Sequence, residues 1–373
     1  MSDLTELRGQ LDELDSRLAA LFSERMALCE EVAEIKKVSG KKVYDKAREA
    51  EKIRSVQSLV EGDLRKRGIA ELLGQLMSMS RKLQYQKLSE DRELYLPFTP
   101  IDSLDKSAPI VYQGAEGSYS QAATELFFGK AARIRHVDSF RDAMLALDEG
   151  TAAFAVLPIE NSTAGVVSEI YDLLAEFEHY IVGEQMMEIR HCLLACPGAE
   201  LSQIRTVYAH PQALMQCEYF LRESGFSQIS MSNNAFAAAR VAKDGDLTQA
   251  AIAGAHAAEV YGLQILKEGI NRESGNTTRF LVISNQKVFL KDAGKISLCF
   301  ELPHESGALY HILSHIIYNG LNMSKIESRP VEGRNWEYRF FLDFDGNLSD
   351  PAVRNALCGL REEARNLRVL GNY

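Results

Sequence analysis

The sequence predicts a multidomain chain: an all-α domain forming half of an intertwined dimer, an α/β domain of two lobes, and an α+β domain with a ferredoxin-like plan. Three observations predict this. All nine prolines lie at residue 97 or beyond, so the first 96 residues can be helical throughout. Short apolar runs then alternate with helical patterns. The last segment follows the order βαββαβ. The predicted bounds are 1–96, a linker at 97–107, 108–286 and 295–373.

A leucine stripe with alternating spacings of three and four residues predicts the first helix. It runs from Leu4 to Ile35, so the helix would be roughly 50 Å long at ~1.5 Å per residue. Two shorter helices are expected at about 45–64 and 69–88, with a loop at 62–68 between them. They cannot cover so long a helix. A second copy of the chain is therefore expected to complete the bundle.

Charge and cysteine usage exclude several classes of function. Residues 1–96 carry 18 Lys and Arg against 18 Asp and Glu, so the remainder holds the whole net charge of −10. Nucleic-acid binding needs a basic surface and is not expected. The chain has no apolar run of transmembrane length, and its acidic N-terminus does not resemble a signal peptide. Six cysteines without a CxxC pair indicate reduced thiols and a cytoplasmic protein.

Polar residues interrupt the apolar stripe of the first block. Arg25 occupies a stripe position, and Lys36 lies eleven residues on, on nearly the same face. A lone arginine of this kind usually extends to solvent. Other polar residues fall at stripe spacings on the second and third helices: Asp45, Arg48, Glu49, Ser80 and Gln84. Because buried cations without partners are costly, a dianionic ligand would explain the set.

Arg8 also lies near the stripe, ~26 Å along the helix from Arg25, so it can join only another chain's site. These residues at these spacings resemble the all-α chorismate mutase family over residues 4–88. The resemblance implies rearrangement of chorismate to prephenate without cofactor or metal. Arg25, Arg48 and the partner's Arg8 would clamp the two carboxylates. Catalytic Lys36 and Gln84 would donate hydrogen bonds to the ether oxygen. The ring hydroxyl and a carboxylate would be contacted by Asp45, Glu49 and Ser80.

The second block has a glycine-rich turn at 113–120, after a strand and before a helix. It matches neither the dinucleotide nor the P-loop pattern, and is either an ordinary turn or a carboxylate site at a helix N-terminus. Three polar segments also follow or open predicted strands: 158–162 (PIENS), 210–212 (HPQ) and 276–280 (NTTRF). Each alone could be a turn or a cap. Together they are expected to face a crevice between two lobes.

These segments resemble the prephenate dehydratase family over about 108–286. The resemblance implies periplasmic-binding-protein-like lobes and conversion of prephenate to phenylpyruvate with loss of CO₂ and the ring hydroxyl. Catalytic Thr278 would hydrogen-bond the departing hydroxyl, and Glu160 and Phe280 would shape the site. Ala209 replaces the serine that usually precedes HPQ in the family. The proton source is not identified. The substrate would be bound or oriented by Asn161, Ser162, Gln216 and Arg279.

The third block contains Gly307-Ala308-Leu309 at the start of its first helix and Glu327-Ser328-Arg329-Pro330 at the end of its second strand. These segments resemble the ACT regulatory domain, over about 296–373. The resemblance implies L-phenylalanine bound between the domains of two subunits, as an inhibitor of the dehydratase. A helix N-terminus would take its carboxylate, with a glycine allowing close approach. Deletion of residues beyond about 290 is expected to leave activity and remove inhibition. The ligand-binding segments would be Gly307, Ala308 and Leu309, and Glu327, Ser328, Arg329 and Pro330.

The two enzyme resemblances adjoin, and the product of the first is the substrate of the second. We therefore interpret the chain as a bifunctional chorismate mutase and prephenate dehydratase of phenylalanine biosynthesis. A mutase–dehydrogenase fusion would need the missing dinucleotide fingerprint. An arogenate-preferring dehydratase and a non-catalytic amino-acid sensor remain as alternatives. His191 with Cys192 and Cys196 could bind metal, but a buried strand is favoured. For His311 and His315 an exposed helix face is favoured.

Overall fold

The computed structural model describes residues 3–89, 98–272, 275–305 and 307–373. The described chain forms two compact units. The first comprises the residues up to 97 together with Leu298–Val369, and the second comprises Phe98–Ser297 with Leu370–Tyr373. The predicted end of the helical block at residue 96 lies outside the described residues. Within the described ranges, no helix has both the length and the apolar content needed to cross a lipid bilayer.

Three helices open the first unit: α1 (Leu4–Ser39), α2 (Lys46–Gln57) and α3 (Asp63–Ser89). Helix α3 packs against both α1 and α2. The predicted bounds of α2 and α3 were wrong: α2 ends seven residues earlier, and most of the expected loop at 62–68 is helix. Gly62 explains this, because its φ of +84° reverses the chain immediately before α3.

The C-terminal part of the first unit has the predicted order βαββαβ, and its strands are arranged β15-β16-β14-β17. Strand β15 lies at the edge and pairs with β16 in antiparallel fashion. Helices α11 and α12 both contact α3. The elements are β14 (Lys295–Glu301), α11 (Ala308–Tyr318), β15 (Met323–Pro330), β16 (Tyr338–Asp345), α12 (Pro351–Glu363) and β17 (Arg365–Asn372).

The prediction of an exposed helix face is wrong for His315, which is fully buried on α11. Its Nε2 lies 3.1 Å from a carboxylate oxygen of Glu363 on α12. Gly359 makes room for the ring, because a Cβ there would lie 2.3 Å from it. His311, one turn earlier, is exposed. The buried imidazole therefore belongs to the packing of the two helices.

The first lobe of the second unit is a mixed sheet in the order β6-β12-β4-β2-β3. Strand β12 is antiparallel to β4 and β6, whereas β2 is parallel to β3 and β4. Strand β1 lies inside the predicted linker and pairs with β13. The elements are β1 (Thr99–Ile101), β2 (Ile110–Gln113), α4 (Tyr119–Phe128), β3 (Ile134–Val137), α5 (Phe140–Asp148), β4 (Phe154–Asn161), β5 (Gly165–Val166), α6 (Ser168–Glu176), β6 (Tyr180–Glu188), β12 (Thr277–Ser284) and β13 (Val288–Leu290).

The second lobe is a five-stranded sheet in the order β11-β7-β10-β8-β9, with helices on both faces. Two short helices meet at Cys217 in this lobe. Cys192 lies in a buried strand, as favoured. The elements are β7 (Cys192–Ala195), β8 (Thr206–Ala209), α7 (Pro211–Gln216), α8 (Glu218–Ser224), β9 (Ser227–Ser230), α9 (Asn234–Asp244), β10 (Gln249–Ala253), α10 (Ala255–Tyr261) and β11 (Gln264–Glu268).

Candidate active sites

A cavity of about 420 Å³ lies between α1, α2 and α3. Seven of the eight residues predicted for the mutase site line it: Arg25, Lys36, Asp45, Arg48, Glu49, Ser80 and Gln84. Side chains that sequence spacing placed on three separate helices thus converge on one space. Arg8, the remaining predicted residue, is exposed on α1 and does not line this cavity.

Arg25 points from α1 to α3 rather than to solvent. One of its guanidinium nitrogens donates to the hydroxyl of Ser80 and, over 3.1 Å, to the carbonyl of Leu76. The Ser80 hydroxyl in turn donates to the same carbonyl. The arginine in the apolar stripe is therefore held by the facing helix at the wall of the cavity.

Lys36 and Gln84 present polar groups at the same cavity. The ammonium of Lys36 donates to the carbonyl of Val43 over 2.7 Å. Burial lowers the pKa of Lys36, an effect opposed mainly by the carboxylates of Glu362 and Glu49. The Oε1 atom of Gln84 is buried, with no hydrogen-bond partner among the described residues. Since such a group is costly unless a ligand satisfies it, Gln84 is well placed to meet a bound ligand, and a rotated amide presents its NH₂ instead.

The opening turn of α2 contributes acidic groups to the cavity. Asp45 caps the helix by accepting from the backbone N–H of Arg48 over 3.1 Å. The carboxylate of Glu49 accepts from Arg81 at 2.6 Å, and the Arg81 guanidinium also lies 3.0 Å from Glu363 of α12. Sequence reasoning missed Arg81. The available signal was its place between Met77 and Gln84 on α3, at the spacings of a helix stripe.

A second cavity, of about 440 Å³, lies between the two lobes of the second unit. Four predicted residues line it: Asn161, Gln216, Thr278 and Phe280. The lining also includes Tyr119, His191 and His210, and no Asp, Glu, Lys or Arg is found among its described residues. The beginnings of α4 and α9 contribute to the wall, and helix N-termini favour negative charge. The cavity thus suits an anionic ligand held by neutral donors.

Thr278 and Asn161 face each other across paired strands at this cavity. The Nδ2 group of Asn161 donates to the Thr278 hydroxyl oxygen over 2.9 Å and to Oδ1 of Asn276 over 2.7 Å. The Asn161 orientation is fixed because its Oδ1 accepts from the backbone N–H groups of Thr163 and Ala164. Since the Thr278 oxygen accepts from Asn161, its hydroxyl proton can be donated to a ligand.

Three residues predicted for the dehydratase site are not brought to the cavity: Arg279, Glu160 and Ser162. Side chains alternate along a strand, so Arg279 faces away from the side that Thr278 and Phe280 share. Its Nε lies 2.7 Å from Glu184 and its Nη1 3.2 Å from Glu160, and it donates to the Tyr373 hydroxyl. The Ser162 hydroxyl accepts from the backbone N–H of Thr277.

The predicted phenylalanine-binding segments lie in the C-terminal part of the first unit. Gly307 precedes α11 with a φ of +81°, and Ala308 and Leu309 form the half-buried first turn. Residues 327–330 end the edge strand β15, where Ser328 and Pro330 are exposed. An exposed strand edge can accept a second chain.

The comparisons with known proteins decide the family. A model of chorismate mutase type II matches residues 7–85, and a model of prephenate dehydratase matches residues 110–288. The bifunctional chorismate mutase/prephenate dehydratase of Neisseria gonorrhoeae is 34% identical over 368 residues, which cover 98% of this chain and 95% of that protein. The chain belongs to this family. It is a bifunctional enzyme with a mutase and a dehydratase domain, in phenylalanine biosynthesis.

Two further relatives each cover 71% of this bifunctional enzyme. Arogenate dehydratase 1 of Petunia hybrida is 36% identical over 281 residues, covering 71% of this chain and 66% of that protein. The solved structure of prephenate dehydratase from Arthrobacter aurescens, in complex with L-Phe, is 32% identical with a TM-score of 0.66. It covers 71% of this chain and 89% of that one.

Proposed function

We propose that the helical cavity rearranges chorismate to prephenate and that the inter-lobe cavity converts prephenate to phenylpyruvate. The observation that carries the first assignment is the convergence of seven predicted polar side chains on one cavity. Thr278 and Asn161 at the wall of the second cavity support the second. Variants of Lys36 and of Thr278, assayed separately with chorismate and with prephenate, test the two assignments.

In the mutase site, charge and orientation accelerate a concerted reaction that needs no nucleophile. Arg25 and Arg48 bind the carboxylates of chorismate, and Asp45, Glu49 and Ser80 contact the ring hydroxyl and a carboxylate. Lys36 and Gln84 donate to the ether oxygen, where negative charge develops as its bond to the ring breaks. Donors at that oxygen stabilise the transition state more than the ground state. Clamping both carboxylates holds the compact conformer that reacts.

The mutase domain acts as an intertwined dimer in this proposal. The leucines of the first half of α1, from Leu4 to Leu21, are 45–61% exposed in one chain. Full burial of an exposed leucine is worth ~1.5–3 kcal/mol, so burying the exposed half of a continuous leucine stripe favours association. In the dimer, Arg8 of each chain reaches the partner's cavity and completes the carboxylate clamp.

Subunit mixing tests this arrangement. Arg8→Ala should disable the partner's mutase site, and Lys36→Ala should disable the site of its own chain. When the two variants are unfolded and refolded together in equal amounts, half of the dimers are hybrids with one intact site, so mutase activity should return to about one quarter of wild type. Sedimentation analysis checks that dimers form. If the mixture stays as inactive as its components, Arg8 does not act across the dimer.

In the dehydratase site, Thr278 donates a hydrogen bond to the departing ring hydroxyl while decarboxylation supplies the electrons that make the ring aromatic. Asn161 holds the Thr278 oxygen, and Gln216 contacts the substrate. The cavity offers the substrate carboxylates neutral donors rather than cations. A carboxylate that makes no ion pair is less stabilised in the ground state, so less stabilisation has to be given up when it leaves as CO₂. Arg279 and Glu160 support the strand from its other face.

The lining favours prephenate over arogenate as substrate. Arogenate carries an ammonium group where prephenate has a keto group, and a buried ammonium needs a carboxylate or several acceptors nearby. No Asp or Glu is among the described residues that line the cavity. The mutase domain of the same chain also produces prephenate directly.

We further propose that L-phenylalanine binds the C-terminal domain as an ACT regulatory domain and inhibits the dehydratase. The βαββαβ order and the glycine at the start of α11 support this, as does the L-Phe complex of the Arthrobacter relative. Inhibition requires only that phenylalanine binds the low-activity state more tightly, with a coupling of ~1–3 kcal/mol. The protein is proposed to be cytoplasmic, in keeping with its six free cysteines.

A pair of glycines at the two ends of α11 provides a matched test. Gly307 and Gly320 have φ values of +81° and +68°, so an alanine strains the backbone equally at either position. Gly307→Ala should raise the phenylalanine concentration for half-inhibition on the order of 10-fold, whereas Gly320→Ala should not. Equal sensitivity in both variants, measured as dehydratase activity against phenylalanine, would place the regulatory site elsewhere.

The structure changes the expected result of deleting residues beyond 290. Leu370–Tyr373 belong to the dehydratase unit, where Gly371 pairs with Ile181 and the Tyr373 hydroxyl accepts from Arg279. The deletion removes these contacts together with the C-terminal domain. It should therefore impair the dehydratase itself, and the glycine pair is the cleaner test of regulation.

A further inference from the structure

A hydrogen-bonded chain of side chains crosses the dehydratase cavity from one lobe to the other and back. Tyr119 belongs to α4 of the first lobe, His191 directly precedes β7, Gln216 ends α7 of the second lobe, and Thr163 follows β4 of the first lobe. The three links are 2.9 Å from the Tyr119 hydroxyl to Nδ1 of His191, 2.8 Å from Nε2 of His191 to Oε1 of Gln216, and 3.1 Å from Nε2 of Gln216 to the Thr163 hydroxyl.

The imidazole and the carboxamide each have one consistent donor direction, whereas the Tyr119 hydroxyl has two acceptors within reach, Nδ1 of His191 and, at 3.1 Å, the carbonyl of Arg190. Burial lowers the pKa of His191, so the imidazole is neutral and carries one N–H. Oε1 of Gln216 can only accept, which places that proton on Nε2 and leaves Nδ1 to accept from Tyr119. Burial raises the pKa of the Tyr119 phenol, which keeps its proton for donation. The amide NH₂ of Gln216 is thereby directed at Thr163.

Gln216 is the member of the cavity that depends most on this chain. Oδ1 of Asn161 accepts from the backbone N–H groups of Thr163 and Ala164 as well as from the Thr163 hydroxyl, so its orientation does not depend on this chain alone. The carboxamide of Gln216 has His191 on its oxygen and Thr163 on its nitrogen, and these contacts come from different elements. Removal of either partner would free the amide to rotate by 180° and would loosen one link between the lobes.

We propose that His191, supported by Tyr119, is a positioning residue of the dehydratase that fixes the carboxamide of Gln216 against Thr163 across the cleft. It acts through Gln216 and not by direct proton transfer to the substrate. Misplacement of a substrate-contacting group by ~1 Å can cost on the order of 10²-fold in rate. His191→Leu should accordingly lower kcat/KM for prephenate by ~10- to 100-fold, which is less than the loss expected from removing the Thr278 hydroxyl.

A double-mutant cycle distinguishes this role from a general structural one. Gln216→Leu removes the carboxamide itself and should lower kcat/KM at least as much. If His191 acts through Gln216, the variant that carries both substitutions should be no less active than Gln216→Leu alone. His191→Gln should recover most of the activity, because its amide NH₂ can still donate to Gln216. Losses that multiply in the double variant would overturn the proposal.

The controls separate positioning from stability. His179 is another fully buried histidine of the same unit, and its Nε2 lies 3.0 Å from the carbonyl of Met144, away from the cavity. His179→Leu should lower Tm yet leave kcat/KM for prephenate unchanged. Mutase activity and Tm of every variant report folding. Should His191→Leu not fold, Tyr119→Phe removes a single oxygen and decides the question: unchanged kcat/KM there contradicts the proposal.

Discussion

Lys36→Ala and Gln84→Ala should each lower the mutase kcat on the order of 10²-fold or more while the chain stays folded. Both side chains line the helical cavity, and both are proposed to donate to the ether oxygen as its bond breaks. Loss of one such donor removes stabilisation that exists mainly in the transition state, so kcat should fall more than KM rises. Initial rates of chorismate loss measure the effect.

The chain contains its own controls for this prediction. Dehydratase activity on added prephenate should be unchanged in both variants, because the second cavity belongs to the other unit. Lys37→Ala, one residue along α1 and outside the cavity lining, should retain mutase activity. Near-wild-type mutase rates in both Lys36→Ala and Gln84→Ala would contradict the assignment of the site.

The pKa of Lys36 adds a pH dependence with a defined sign. Its ammonium donates only when protonated, and burial lowers its pKa in the free enzyme. With respect to this group, mutase kcat/KM should therefore be highest at low pH. It should decline as the pH rises, and the decline should begin below the usual lysine pKa of ~10.4.

Thr278→Ala should abolish dehydratase activity and leave mutase activity intact. The Thr278 oxygen accepts from Asn161, which leaves its O–H free to donate a hydrogen bond to the departing hydroxyl of prephenate. Without the hydroxyl, no group replaces that donor at the same position. Thr278→Ser should keep substantial activity, because serine retains the hydroxyl. Phenylpyruvate formation from prephenate provides the measurement.

Thr277 is a matched control beside Thr278 on the same strand. Its hydroxyl donates to the carbonyl of Gly275 and does not line the cavity. Thr277→Ala should therefore lose little dehydratase activity. If Thr278→Ala instead abolished both activities in a folded chain, the two reactions would not occupy separate sites.

The mutase site was the more predictable of the two from sequence. Spacings of three, four and eleven residues fix which side chains share a helix face, so Arg25, Lys36, Ser80 and Gln84 could be placed together before the structure was considered. Arg8 could be set apart by distance along α1 alone. The wrong prediction of a loop at 62–68 did not change which face of α3 Ser80 and Gln84 share, because α3 begins earlier than predicted and continues without a break through Gln84.

The dehydratase site was less predictable because it depends on which face of a strand each residue occupies and on contacts between lobes. Thr278, Arg279 and Phe280 are consecutive in the sequence, yet the alternation of side chains along the strand places Arg279 on the opposite face from the other two. A register shift between Arg279 and Phe280 on the β4 side is invisible in the sequence. Tyr119 and His191 lie far apart in the sequence, and only the packing of the two lobes brings them together.

The central claim is that one chain carries two separate, consecutive sites. The most direct measurement incubates the wild-type enzyme, Lys36→Ala and Thr278→Ala each with chorismate alone and follows prephenate and phenylpyruvate over time. Wild type should form phenylpyruvate without an added cofactor, Thr278→Ala should accumulate prephenate, and Lys36→Ala should form little of either. An equal mixture of the two variants should restore phenylpyruvate formation. If wild type forms no phenylpyruvate, or the mixture of two folded, singly active variants fails to form it, the account is wrong.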